Sequence, residues 1–223
     1  KFKFKRYRMQ SKVILITTAI LIIAPAVFFF ACDFGNLPAG KRLLASVFQS
    51  VTTRTAGFNT EDLSLMTEAG KAVMILLMLI GGSPSSTAGG MKTTTFAVLI
   101  LNALATFRSR EDAGAFGRRF DGQVVKNAAT IAMMYFMLFF FGGITISVYE
   151  GLPLLTCLYE AASAVGTVGL TLGITPELHI ISRLILIALM YLGRVGGMTL
   201  IYAVFSRKNN NGAKMPLEKI TVG

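Results

Sequence analysis

Long apolar runs alternate along the chain with short polar segments. Residues 13–30 carry no charge, and residues 124–149 and 184–205 carry one each, Lys126 and Arg194. Each run is close to the ~20 residues that a helix needs to cross a hydrocarbon core of roughly 30 Å. The pattern therefore predicts three membrane-spanning helices.

A fourth crossing is predicted within residues 71–107, which are apolar at both ends and polar in the middle. One straight helix of that length would measure about 55 Å, at about 1.5 Å per residue, which is too long for a single span. The polar middle, GGSPSSTAGGMKTTT at residues 81–95, contains glycines, Pro84 and small hydroxyl residues. We expect the helix to be broken there.

Two further apolar segments are too short to cross a membrane. They are residues 43–53 and the segment LPLLTCLYEAASAVG, and a glycine-bearing loop follows each of them. Non-helical backbone at membrane depth is tolerated only where it is buried in protein or lines a wet cavity. Both segments are therefore predicted to be half-helices that lead into re-entrant loops.

The two halves of the chain form a parallel repeat. TAGF at residues 55–58 is matched by TVGL at residues 167–170, an offset of 112, and GGM at residues 89–91 recurs at residues 196–198, an offset of 107. The first half thus holds five additional residues, which fall in the polar stretch 81–95. We predict an all-α membrane protein with two tandem helix–re-entrant loop–helix repeats, residues 1–110 and residues 111–223.

Composition and charge support this prediction. Hydrophobic residues make up 53% of the chain and charged residues 15%, whereas soluble domains carry about a quarter charged residues. The net charge is +11, and 15 of the 22 basic residues lie in three clusters, at residues 1–12, 108–126 and 207–219. The positive-inside rule places all three clusters in the cytoplasm. We therefore expect both ends of the chain to be cytoplasmic and membrane lipid to surround it, and the charge requires no nucleic-acid partner.

The two Thr-x-Gly loops have the chemistry of a cation filter. Backbone carbonyls can replace the water around a bare cation, and glycine permits the backbone angles that this requires. The half-helices would also direct the negative ends of their dipoles towards a cation. The predicted ion-binding residues, with potassium as the bound metal ion, are Thr55, Ala56, Gly57, Phe58, Thr167, Val168, Gly169 and Leu170.

The polar stretch 81–95 has other interpretations. A phosphate-binding loop requires glycine, four residues and then Gly-Lys-Ser/Thr, but Met91 separates Gly90 from Lys92 and no strand precedes the loop. We therefore predict no enzyme and no organic cofactor. A membrane scaffold without transport is a further alternative, although a scaffold would not need two filter-like loops.

Several motifs together resemble the Trk/Ktr/HKT superfamily of potassium-translocating membrane proteins. SVTTRTAGFNT and SAVGTVGLT resemble that family's third and fourth pore loops, and GGSPSSTAGGMKTTT resembles its intramembrane loop. LGRVGGM and PLEKITVG resemble its last helix and its usual ending. The resemblance implies potassium uptake across the plasma membrane by the C-terminal half of a four-unit pore, so that an N-terminal half is missing here. Sodium transport remains open because the first two units are not seen.

The resemblance also implies partners and a gate. It predicts a homodimer resting on a cytosolic ring of nucleotide-binding regulatory subunits, with residues 108–126 and the C-terminal tail as docking surfaces. Arg194 is expected either at the pore or in a salt bridge with Glu160, and Arg54 is expected to brace the end of its half-helix, with Glu160 as a possible ion-pair partner. The predicted gate residues are Gly81, Gly82, Ser83, Pro84, Ser85, Ser86, Thr87, Gly89, Gly90, Lys92 and Arg194.

Overall fold

The computed structural model describes residues 7–110 and 112–196. Within these residues the fold is helical apart from one small hairpin. The helices are α1 (Met9–Cys32), α2 (Ala39–Thr52), α3 (Glu68–Leu79), α4 (Thr93–Phe107), α5 (Gly122–Glu150), α6 (Leu154–Gly166) and α7 (Ile180–Val195). The hairpin consists of β1 (Gly114–Ala115) and β2 (Arg118–Arg119), and single 3-10 turns lie at Leu63–Leu65 and Thr175–Glu177.

Helices α1 and α5 are long and apolar enough to cross a membrane, with 24 and 29 residues. They contain the runs 13–30 and 124–149, so the first span of each half is confirmed. α5 begins where the Asp121 side chain accepts a hydrogen bond from the Gln123 amide (3.0 Å) and ends at Gly151, whose φ is +68°. The predicted last span, 184–205, begins within α7, and its end lies outside the described residues together with Gly197 and Met198.

Both predicted half-helices are present. Helix α2 contains most of the predicted segment 43–53 and packs against α1, and α6 packs in the same way against α5. The order of span, half-helix, loop and following helix is therefore the same in the two halves. This order confirms the tandem-repeat fold.

The predicted break in the fourth crossing is also present, between α3 and α4. Its two ends are held together, because the Gly81 amide donates to the Met91 carbonyl (2.8 Å) and the Met91 amide donates to the Leu79 carbonyl (3.1 Å). The Thr93 amide donates to the Gly82 carbonyl (3.1 Å). The residues between these bonds form a loop whose two ends lie next to each other. We call residues 80–92 the intramembrane loop.

Helix α6 lies at the centre of the described fold. Its residues from Tyr159 to Gly166 are all buried, and it packs against α3, α5 and α7. At its C-terminal end the α3 backbone approaches closely, since a Cβ on Gly166 would lie 2.2 Å from the Met78 carbonyl oxygen. This close approach brings the intramembrane loop, which follows α3, against the loop that follows α6.

The predicted division of the chain at residues 110 and 111 falls between α4 and the hairpin. Helix α4 also packs against α5, so the two repeats share an interface. The division itself stays a prediction.

Candidate functional site

The two predicted filter loops have the same backbone signature. Thr55 and Gly57 have φ values of +66° and +76°, and Thr167 and Gly169 have φ values of +51° and +94°. A positive φ is uncommon at a residue other than glycine. Its occurrence at both threonines, each two residues before a glycine with positive φ, indicates that the same irregular loop is built twice.

A hydroxyl group in the last turn of each half-helix holds the loop that follows. Thr52 Oγ1 accepts a hydrogen bond from the Phe58 amide (2.9 Å), and Ser163 Oγ accepts one from the Gly169 amide (3.2 Å). Sequence reasoning missed both residues. The signal in the sequence was a hydroxyl side chain near the end of each half-helix, six residues before the amide that it binds.

The two filter loops lie side by side. A Cβ on Gly57 would sit 2.1 Å from the Val168 carbonyl oxygen, a distance that no side chain can adopt. Gly169 has more space, since a Cβ placed on it would have the Gly57 Cα as its nearest neighbour, at 3.9 Å. The fold thus brings the predicted filter residues of both halves together, and it leaves the Gly169 side less crowded.

A cavity of about 540 Å³ extends beside the second filter loop towards α7. It contacts four predicted filter residues and one predicted gate residue, and its remaining walls come from α6, the segment after the filter and α7. Its lining residues are Glu160, Ser163, Ala164, Thr167, Val168, Gly169, Leu170, Thr171, Thr175, Pro176, Leu186, Met190 and Arg194.

The intramembrane loop touches the second filter loop directly. The Gly89 amide donates a hydrogen bond to Thr167 Oγ1 (3.1 Å), across a sequence separation of 78 residues. A Cβ on Gly89 would lie 2.3 Å from the same oxygen atom, so the Gly89 backbone and the Thr167 side chain meet without space for a further atom. The predicted gate and the predicted filter therefore form one contiguous site.

Three cationic side chains hold the intramembrane loop through its carbonyl oxygens. Arg194 Nη1 donates to the Thr87 carbonyl, and Arg54 Nη2 donates to the Gly81 carbonyl (3.4 Å). Lys92 Nζ donates to the carbonyls of Ala88 (2.6 Å) and Ser86 (3.3 Å), within the loop itself.

The remaining predicted gate residues lie in the same loop. Ser83 Oγ contacts Thr93 Oγ1 (3.3 Å), and the Ser86 amide donates to the Ser83 carbonyl (3.1 Å).

The Glu160 carboxylate holds the segment that follows the second filter loop. It is 4% exposed and accepts hydrogen bonds from Thr171 Oγ1 (2.6 Å), the Leu172 amide (2.9 Å) and Thr175 Oγ1 (2.8 Å). The ion pairs considered for Glu160, with Arg194 or with Arg54, are not found among the described residues, because both arginines reach the intramembrane loop instead. Arg54 thus contacts that loop rather than only the end of its own half-helix. Thr171 and Thr175 were not anticipated.

Two half-helices that each lead into an irregular loop, with the two loops in contact and a long apolar helix before each half-helix, define a membrane protein of the pore-loop class. A family model described as TrkH, cation transport protein, matches residues 5–212. The chain belongs to this family of cation transport proteins.

The chain is similar to several named transporters over nearly its whole length. It is 38% identical over 232 residues to the potassium/sodium uptake protein NtpJ of Enterococcus hirae, covering 99% of this chain and 51% of that protein. It is 32% identical over 227 residues to the Ktr system potassium uptake protein B of Bacillus subtilis, again covering 99% and 51%. The chain spans about half the length of the curated relatives it matches.

A solved structure shares the fold. The crystal structure of the potassium transporter TrkH from Vibrio parahaemolyticus matches with a TM-score of 0.66 and 20% sequence identity, covering 88% of this chain and 44% of that one. At this level of identity the similarity concerns the fold. It agrees with an all-α membrane protein built of pore-loop repeats.

Proposed function

We propose that this chain forms the third and fourth units of a four-unit pore that takes up potassium across the plasma membrane. The observation that carries the proposal is the pair of adjacent Thr-x-Gly loops with matching positive φ values. Two such loops at repeat positions supply half of a ring of carbonyl oxygens, which can replace the hydration shell of a cation. The filter is formed by residues 55–58 and 167–170, and two further units beyond those in this chain complete the ring.

The half-helices add to the attraction for a cation. Helices α2 and α6 both end at a filter loop, so their C-terminal dipole ends, each equivalent to roughly half a negative charge, face that region. Potassium is the favoured ion because both filter glycines are retained. Sodium is the alternative cargo, since one relative at 38% identity is named for potassium and sodium uptake.

The intramembrane loop acts as the gate. Hydrogen bonds join it to Thr167, Arg194 and Arg54. Its displacement would open the space beneath the filter. The Arg194 guanidinium group lines the same cavity as the filter residues. Its positive charge would repel a passing potassium ion while the loop is closed.

The whole protein works as a homodimer with a cytosolic ring of nucleotide-binding regulatory subunits. The basic segment 108–126 and the C-terminal tail are the proposed docking surfaces. Both ends of this chain face the cytoplasm, as the basic clusters predict. No enzymatic step is proposed, because the transport of an ion down its gradient requires none.

A growth assay tests the proposed function. The full-length protein should restore growth of a potassium-uptake-deficient bacterial strain at low external potassium, and Gly57→Ser should abolish that growth. A membrane scaffold would retain its role after this substitution. Failure of the wild-type protein to restore growth, when it is present in the membrane, would overturn the proposal.

A deletion tests the gate separately. Removal of residues 83–87 shortens the loop by the five residues that distinguish it from the second half, and it should raise the potassium uptake rate. A same-length replacement of residues 83–87 by glycine and serine is the control, because it keeps the length of the intramembrane loop. Unchanged or abolished uptake by the folded deletion variant would show that the loop is not the gate.

A further inference from the structure

A groove lies between α1 and α4, away from the filter. It has a volume of about 420 Å³ and is lined almost entirely by apolar side chains. The lining includes residues of α1 from Val13 to Leu21, which at about 1.5 Å per residue span about 12 Å along the helix axis. Ile16, Ile20, Ile100 and Leu104 are exposed along this groove, with 40–58% of their surfaces accessible. The groove is therefore an elongated, unfilled apolar surface.

A second, polar pocket of about 230 Å³ adjoins one end of this groove. The two share the residues Leu101, Leu104, Ala115 and Phe116. The polar pocket is lined on its other sides by Arg108, Arg110 and Asp112. The two spaces thus form one continuous site with an apolar part and a basic part.

Among the described residues, the lining of the polar pocket carries two guanidinium groups and one carboxylate. Asp112 contacts Arg119, at 3.4 Å between Oδ2 and Nη1, so its carboxylate already has a cationic neighbour. Arg108 and Arg110 are exposed and form no ion pair among the described residues. Two guanidinium groups beside an apolar groove have the positive charge and the N–H donors that bind a phosphate group.

The β1–β2 hairpin covers the junction between the two parts. Phe116 and Gly117 form its turn with φ values of +54° and +73°, and a positive φ is unusual for a bulky side chain. The strained turn places the Phe116 ring over the groove, where Lys12 Nζ lies 5.4 Å from the ring centroid. The hairpin therefore adds an aromatic contact at the end of α1 that carries Lys12.

We propose that this site binds one anionic phospholipid, with an acyl chain in the α1–α4 groove and the phosphate group at Arg108 and Arg110. Acyl chains match the apolar groove, and anionic lipids are attracted to basic residues at the cytoplasmic ends of spans. The proposal rests on the membrane orientation given under the proposed function. It assigns these arginines a lipid ligand in addition to any contact with a regulatory subunit.

The test is native mass spectrometry of the delipidated full-length protein titrated with phosphatidylglycerol or phosphatidylcholine. Wild type should retain phosphatidylglycerol at least fivefold more strongly than phosphatidylcholine. The double variant R108Q/R110Q should lose that preference, and I100W should weaken the binding of both lipids by filling the groove. The controls are R118Q/K126Q, which removes two exposed cations of the same segment from outside the pocket, and L15W, at an exposed position of α1 that does not line the groove.

Two outcomes would overturn the proposal. Equal loss of phosphatidylglycerol by R108Q/R110Q and R118Q/K126Q would show diffuse attraction rather than a site. A change of oligomeric state or loss of assembly in I100W, with lipid binding unaltered, would show that protein covers the groove. Lipid binding is measured without transport, so a failure here leaves the proposed potassium uptake standing, and a failure of uptake leaves the lipid site standing.

Discussion

The guanidinium group of Arg194 donates a hydrogen bond to the main-chain carbonyl of Thr87, and this bond joins the last described helix to the middle of the intramembrane loop. The two residues are 107 positions apart in the chain. Arg194 also lines the cavity that reaches the second filter loop. One side chain thus fastens the proposed gate and faces the proposed ion path.

Substitution of Arg194 should release the loop. A hydrogen bond to a charged group contributes about 1.5–3 kcal/mol, which corresponds to about a tenfold or larger shift in the equilibrium between closed and open loop. We expect Arg194→Gln to raise potassium uptake severalfold in proteoliposomes that contain the full-length protein.

Two further variants separate the possible causes of such an increase. Arg194→Lys keeps the positive charge but weakens the bond, so a rise in this variant as well would assign the effect to the lost bond. Arg183→Gln, on the same helix but bonded to the Pro176 carbonyl, should leave uptake unchanged. A folded Arg194→Gln protein with no uptake would contradict the role of Arg194 as a fastener of the gate.

The two filter glycines should differ in their tolerance of a side chain. A left-handed conformation costs a residue other than glycine roughly 1–2 kcal/mol, and both positions incur this cost. Gly57→Ala adds a collision with the Val168 carbonyl, whereas Gly169→Ala meets nothing closer than 3.9 Å. Thermal unfolding in detergent should show a larger fall in Tm for Gly57→Ala, and equal falls would mean that the two loops are not packed as described.

Glu160 should stabilise the fold through the segment that follows the second filter loop. Glu160→Ala removes the acceptor of three hydrogen bonds and leaves the Leu172 amide without a partner, at a cost of at least about 3 kcal/mol. Glu160→Gln retains one acceptor oxygen and should lose less stability. The measurement is the Tm in detergent, with Thr171→Val and Thr175→Val as single-bond comparisons, and a Tm for Glu160→Ala equal to that of wild type would refute this role.

The sequence predicted most of the architecture because apolar run length and glycine position are local properties. The spans in α1 and α5, the half-helices and the break before Lys92 all follow from them. The partners of Arg194, Arg54 and Glu160 could not be predicted in this way. A charge within an apolar run indicates that a partner exists, but which carbonyl or hydroxyl lies within reach depends on how α3, α6 and α7 pack.

The contact between Gly89 and Thr167 could not be predicted for the same reason. The sequence assigned Gly89 to the gate and Thr167 to the filter, yet their hydrogen bond depends on the contact between the α3 backbone and Gly166, which joins the two halves of the chain. Thr52 and Ser163 are a different case, because a hydroxyl side chain near the end of each half-helix was visible in the sequence, whereas the amide that it binds was not.

Cation flux through the purified full-length protein tests the central claim most directly. Proteoliposomes under an imposed membrane potential should take up potassium faster than sodium, and Gly169→Ser should reduce that preference while the protein remains folded, because Gly169 has space for a side chain but belongs to the filter backbone. Absence of flux for both ions, or a Gly169→Ser protein with the selectivity of wild type, would contradict a potassium filter formed by these two loops.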